Sequence, residues 1–202
     1  EELEEQYVTS NDYHELCSYK LGFHAEYTTD KKLLEGLAGL SEKYHAPVYT
    51  HNSETKREVE ECRQRYGKSP TQLFEEMGLY RSGGGGYHCI WFDDEDIDIF
   101  AKRNLSVVTN PASNLKLASG IAPLKKMQEA GINLAIGTDG PASNNCLDMF
   151  REMFLVTGLS KLLEKDASSM DAVEVLKMAT VNGAKAMRLN RADVLAKGKH
   201  AD

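Results

Sequence analysis

The tightest constraint in this sequence is an alternation: apolar runs of strand length are followed, five times over, by amphipathic runs of helix length. That order predicts an α/β fold with a parallel sheet, because a strand reaches a parallel neighbour only through a long crossover, usually a helix. The predicted strands are Tyr19 to Glu26, Pro47 to Thr50, Tyr87 to Phe92, Ser106 to Thr109 and Ile132 to Ile136. Helix signals sit between them. A cap at Thr28-Thr29-Asp30 opens a helix that stops before Ala46-Pro47, another runs from Thr55 to Tyr66, and Ser69-Pro70 opens a third. The carboxylates of Asp93-Asp94-Glu95-Asp96 suit the positive end of a further helix. Asn110 to Gly120 reads as a polar loop, Pro123 opens the next helix and Gly131 closes it. Helices over Leu147 to Glu164, Asp171 to Met178 and Val181 to Arg188 complete the chain. No linker or internal repeat is evident, so residues 1–202 read as one domain.

Composition removes several function classes. Twenty-four Lys and Arg against 31 Asp and Glu leave a net charge of -7, the wrong sign for a phosphate-backbone binder, so nucleic acid is not an expected partner. No apolar stretch approaches the roughly 20 residues of a spanning helix, so no membrane association is expected. Cys17, Cys62, Cys89 and Cys146 are far apart with no CxxC pair, which suggests neither a disulfide framework nor a thiolate zinc cage. A reduced, cytoplasmic protein is predicted. The chain opens on Glu1 rather than Met and ends at Asp202 without a closing element, so it is expected to be part of something longer.

The chemically capable residues are not evenly spread. His24, His51, His88, Asn110 and Asp139 each fall at or near the C-terminal end of a different predicted strand. In parallel α/β folds, and in (β/α)8 barrels especially, that edge carries the active site. One histidine so placed is ordinarily a hydrogen-bonded structural residue; several on successive strand ends are a pattern. His14, His45 and His200 lie outside it and receive no catalytic role.

Three segments bear the chemistry. In Thr50-His51-Asn52-Ser53-Glu54-Thr55 an imidazole suits a zinc or ferrous ion, and the carboxyl three residues on can reach the same pocket. The plainer reading is a helix capped by Ser53 or Thr55, with Glu54 favouring the dipole. In Gly137-Thr138-Asp139-Gly140 the aspartate can bind a metal while accepting a proton, or merely form a turn. The glycine run Gly83 to Gly86, before Tyr87-His88-Cys89, lacks the order of a P-loop; it reads as tight entry into a strand rather than a phosphate cradle.

Together these segments resemble the amidohydrolase superfamily, in its branch of nucleoside and nucleobase deaminases and triazine chlorohydrolases, methylthioadenosine/S-adenosylhomocysteine deaminases among them. The motifs are HNSET at 51–55, YHCIW at 87–91, NPASNLKLASG at 110–120 and GTDGPASNN at 137–145, with FHAEYT at 23–28 in support. The resemblance implies the C-terminal part of a (β/α)8 TIM-type barrel, with about five strand-helix units and extra C-terminal helices. It implies His51 and Asp139 as ligands of one divalent metal ion, zinc or alternatively iron. Glu54 would contact substrate and act as acid-base catalyst, His88 would lie beside the metal-bound water, and His24 would contact substrate. Lys20 stands at the beginning of the first strand, not its end, which argues against a carbamylated-lysine, two-metal member.

The implied reaction is hydrolytic deamination of an amino-heterocycle. A divalent cation would lower the pKa of its water to about 7, Asp139 and His88 would take the proton, and Glu54 would protonate the ring nitrogen as ammonia leaves. Hydrolytic dechlorination of a triazine is the alternative, and a noncatalytic fragment of such a barrel a third possibility. The family's HxH strand, which supplies two further ligands, is absent. With two ligands of four, these residues alone are expected to bind metal poorly and to be inactive. Open sheet edges would favour pairing with a second copy.

Overall fold

The computed structural model describes residues 2–10, 18–189 and 191–200. Five strands form one sheet in the order β1 (Leu21–Gly22), β2 (Val48–Asn52), β3 (Gly84–His88), β4 (Ser106–Thr109) and β5 (Asn133–Ile136). Every neighbouring pair is parallel and sequential in the chain, as the alternation requires. Helices α1 (Glu2–Thr9) to α11 (Val181–Ala186) cover it, among them α2 (Lys31–Tyr44), α3 (Lys56–Tyr66), α4 (Pro70–Glu76), α5 (Asp94–Lys102) and α7 (Leu124–Glu129). The cap signals hold. Asp30 accepts from the Leu33 amide at 2.8 Å, and Thr55 with Glu58, Ser69 with Gln72 and Asp93 with Asp96 form reciprocal capping boxes.

Three expectations are corrected. The third strand is Gly84–His88, not Tyr87 to Phe92, so the glycines lie within the sheet. A Cβ at Gly84 would overlap the Val48 carbonyl oxygen, and one at Gly85 would stand 2.5 Å from the Ser106 carbonyl oxygen. Only glycine lets the neighbouring strands approach this closely, and the shift places His88 at the true end of β3. The stretch after β4 is not a loop throughout: Pro111 opens a short helix, α6 (Pro111–Lys116), and a similar one, α8 (Pro141–Asn144), follows β5. The first strand shrinks to Leu21–Gly22, beyond which Glu26–Thr28 turn as a 3-10 helix and the buried Glu26 pairs with Arg65 at 2.5 Å.

The core lies between sheet and helices. Leu21, Val48, Val107 and Leu134 are each at most 4% exposed and pack with Leu37, Phe74, Phe100, Met127 and Val175. Fully burying such a side chain stabilises by roughly 1.5–3 kcal/mol, which fixes the strands and so the residues at their ends. The long helix α9 (Met149–Glu164) and α10 (Ala172–Ala179) pack together near β5, with Phe150 and Phe154 of α9 exposed. His45 forms the left-handed C-cap of α2. His14 and Cys17 lie outside the described residues. None of the described helices is long and apolar enough to cross a membrane.

Candidate active site

The residues at the strand ends come together. His51, within β2, sets its ring centroid 4.6 Å from that of His24 and 5.4 Å from that of His88, nearly parallel to the latter. His88 closes β3, Asn110 follows β4 directly and Asp139 lies three residues past β5. His88 Nε2 is 3.8 Å from Glu54 Oε2, 4.0 Å from Asp139 Oδ2 and 3.4 Å from Asn110 Nδ2. Exposure grades outward: the His88 side chain is 1% exposed, Glu54 16% and Asp139 24%, while His24 stands at the exposed rim. Ser53, His88, Cys89 and Asp139 all have positive φ, at 50°, 69°, 51° and 58°. Such backbone is uncommon outside glycine and concentrates at functional sites.

Hydrogen bonds orient the rings. His51 Nδ1 lies 2.7 Å from the His24 carbonyl oxygen. A carbonyl only accepts, so Nδ1 carries the proton and Nε2 keeps a free lone pair, the arrangement common among metal-binding histidines. His88 Nδ1 donates to Asn114 Oδ1 at 2.7 Å, which leaves its Nε2 between the two carboxylates, with the Asn110 amide donating to it. Gly137 leaves room for this: a Cβ there would stand 2.5 Å from Asn110 Oδ1.

The carboxylates are held as firmly. Asp139 Oδ2 accepts from Ser113 Oγ at 2.6 Å and Ser143 Oγ at 2.8 Å, and Oδ1 accepts from the Gly140 amide at 2.8 Å. Burial acts to raise its pKa, but these donors and the nearby His88 outweigh it, so the carboxyl sits below the ordinary aspartate value. Glu54 Oε1 accepts from Ser119 Oγ at 3.0 Å, and the Ser119 carbonyl takes the Trp91 indole N–H at 2.9 Å. Beneath Glu54, the buried Glu58 accepts the amides of Ser53 at 3.1 Å, Glu54 at 2.8 Å and Thr55 at 3.4 Å. Thr55 caps α3 as the plainer reading had it, and Glu54 faces His88 as well.

Sequence reasoning singled out neither these serines and Asn114 nor Glu58. A signal for most of them was present: the tetrapeptide Pro-Ala-Ser-Asn occurs twice, at 111–114 and 141–144, once after each of the last two strands.

The donor chemistry of His51 and Asp139 fits part of a divalent-metal site: one imidazole with a free lone pair, one ionised carboxylate and both oriented by further hydrogen bonds. Among the described residues no group of three or more His, Cys, Asp or Glu is placed to hold a metal ion.

The sequence pattern of the Amidohydrolase family matches residues 4–202. The chain belongs to the amidohydrolase family. It is 45% identical over 183 residues to the 5-methylthioadenosine/S-adenosylhomocysteine deaminase of Caldanaerobacter subterraneus subsp. tengcongensis, covering 90% of this chain and 42% of that protein. It is 41% identical over 182 residues to a 5'-deoxyadenosine deaminase of Methanothermobacter thermautotrophicus, covering 90% and 42%. A crystal structure of an adenosine deaminase from Xanthomonas campestris with bound zinc superimposes with a TM-score of 0.93 at 36% identity, over 100% of this chain and 46% of that one. This amidohydrolase chain therefore spans less than half the length of these relatives, and its sheet corresponds to part of the family's TIM barrel. The family implies a divalent metal.

Proposed function

We propose that this chain forms part of a metal-dependent hydrolase that deaminates an adenosine-type nucleoside. The observation that carries this reading is the arrangement around His88, whose Nε2 lies 3.8 Å from Glu54 and 4.0 Å from Asp139, beside His51. His51 and Asp139 would hold the cation, with zinc the ion that best suits an imidazole and a carboxylate. When bound, such an ion supplies the Lewis acidity that makes water a nucleophile at neutral pH.

The chain's own residues then manage protons. His88 Nε2, unprotonated while Asn110 donates to it, accepts a proton from water, and the resulting imidazolium lies between two carboxylates. Ser119 occupies Glu54 Oε1, so Oε2, the oxygen nearer His88, passes a proton to the ring nitrogen of the substrate. Water adds at the amine-bearing carbon, the His88 imidazolium gives its proton to the departing amine as the C–N bond breaks, the hydroxyl of the adduct returns a proton to Glu54, and the products are an oxo-purine and ammonia. His24, at the exposed rim, contacts the substrate outside the buried histidine. The unpaired thiols Cys62, Cys89 and Cys146 agree with a reducing, cytoplasmic setting.

The test is ammonia release by the full-length protein from 5'-methylthioadenosine, S-adenosylhomocysteine and adenosine, with chloride release from a chlorotriazine measured alongside. Glu54→Gln is expected to retain its metal and lose about 10²–10⁴-fold in turnover. Chloride release without ammonia, or full activity in Glu54→Gln, would overturn the assignment.

A further inference from the structure

Glu152, on α9, is a fully buried carboxylate that the proposed reaction does not use. Among the described residues both of its side-chain hydrogen-bond donors are uncharged amides from two other helices. Oε2 accepts from the Ala112 backbone N–H of α6 at 3.0 Å, and Oε1 accepts from Asn144 Nδ2 of α8 at 2.7 Å. Burying a carboxyl group is costly, and among the described residues these two amide contacts offset it.

Their placement repeats the sequence. In one copy of Pro-Ala-Ser-Asn, Ala112 binds Glu152 and its neighbour Ser113 donates to Asp139 Oδ2. In the other, Asn144 binds Glu152 and its neighbour Ser143 donates to that same oxygen. Asn144 Nδ2 also donates to the Thr138 carbonyl at 2.6 Å, which ties the turn carrying Asp139 into the assembly. We infer that Glu152 is a positioning residue, a buried clamp that sets two serine hydroxyls from two helices on one oxygen of Asp139 and so orients that carboxylate toward a metal ion. The inference rests on the proposed function only in treating Asp139 as a ligand.

Two serines on different helices reach one carboxylate oxygen only if the helices keep a fixed separation, and Glu152 bridges the first turn of α6 and the last residue of the short α8. In Glu152→Gln an amide N–H2 replaces one oxygen and faces a donor, so one arm of the clamp is released while side-chain volume is kept.

The experiment is a double-mutant cycle on the full-length protein. Zinc affinity is measured by competition with a chromophoric chelator for the wild type, Glu152→Gln, Ser113→Ala/Ser143→Ala and the combined variant. Glu152→Gln is expected to weaken zinc binding about 10–100-fold, as loss of an outer-shell partner does. The serine pair should do the same, and the combined variant should bind no more weakly than the serine pair. Asn144→Ala, which removes one arm and leaves Glu152 its Ala112 partner, carries the same expectation if Glu152→Gln does not fold. Unchanged zinc affinity, or losses that multiply in the combined variant, would overturn the clamp while leaving the deaminase reading intact. A wild type that takes up no zinc would overturn both.

Discussion

Glu58 ties the acid-base segment to the helix beneath it, and its ionisation should be readable in the pH dependence of stability. The carboxyl is 3% exposed and accepts three consecutive backbone amides, from Ser53, Glu54 and Thr55. Burial pushes its pKa from the ordinary 4.5 up to about 7, with those three donors offsetting only part of the shift. The folded state therefore holds the proton more tightly than the unfolded chain does. Its contribution to stability is fully present below pH 4.5 and is lost as the pH rises through about 7. At 1.36 kcal/mol per pH unit that contribution is about 3 kcal/mol, most of it lost between pH 5 and 8. Asp96, raised from 3.8 to about 6 chiefly by burial, acts with the same sign, so the wild-type curve alone does not isolate Glu58. The comparison with Glu58→Gln does, because the amide does not titrate. Urea unfolding of both proteins across pH 5 to 8, with slopes checked for constancy, should show the wild type losing about 2–3 kcal/mol relative to the variant. A gap that stays constant across this range would refute the reasoning. It would mean that three backbone N–H donors hold the carboxyl ionised throughout, the outcome known for well-hydrogen-bonded carboxylates.

Removing Arg65 leaves the buried Glu26 without its partly exposed cation, so Arg65→Ala should cost about 1–3 kcal/mol in urea unfolding at neutral pH, less than a fully buried pair because solvent screens the guanidinium, and Arg65→Ala/Glu26→Gln should recover much of the loss. Gly85→Ala places a methyl group 2.5 Å from the Ser106 carbonyl oxygen; a thermal melt should show at least about 1–3 kcal/mol of destabilisation, whereas Gly39→Ala on α2, with nothing within 4 Å, should be neutral or stabilising. Asn114→Ala leaves the buried His88 Nδ1–H without its acceptor, a cost of about 1–3 kcal/mol, and should lower turnover more than it raises KM.

The parallel sheet was legible because burial imposes its pattern directly: Val48, Val107 and Leu134 are apolar since both faces of their strands are covered. Caps were legible for a similar reason, since Asp30, Thr55, Ser69 and Asp93 each satisfy orphan amides within three residues of themselves. Strand bounds failed where the cause is non-local. Gly84 and Gly85 carry no side chain to reveal a strand, and they belong to one because of carbonyl groups on β2 and β4 that are remote in sequence.

The candidate site divides along the same line. His24, His51, Glu54, His88 and Asp139 stood out because each is chemically conspicuous at a strand end, and the fold does gather them. The groups that orient them are ordinary serines, asparagines and glutamates, several with partners remote in sequence, as in Ser113 with Asp139, 26 residues away, and Ala112 with Glu152, 40 residues away. Nothing about Ser113 alone marks it. What marks it is the second Pro-Ala-Ser-Asn at Ser143, since proline at the first helical position after a parallel strand fixes where the third residue of the tetrapeptide stands relative to the sheet edge. Two adjacent strand ends built this way aim two identical hydroxyls at the space between them, and Asp139, carried by the second of those strands, is the carboxylate that receives both. A short repeat at equivalent positions of adjacent strand-helix units therefore indicates a shared ligand oxygen more directly than either copy indicates a role of its own.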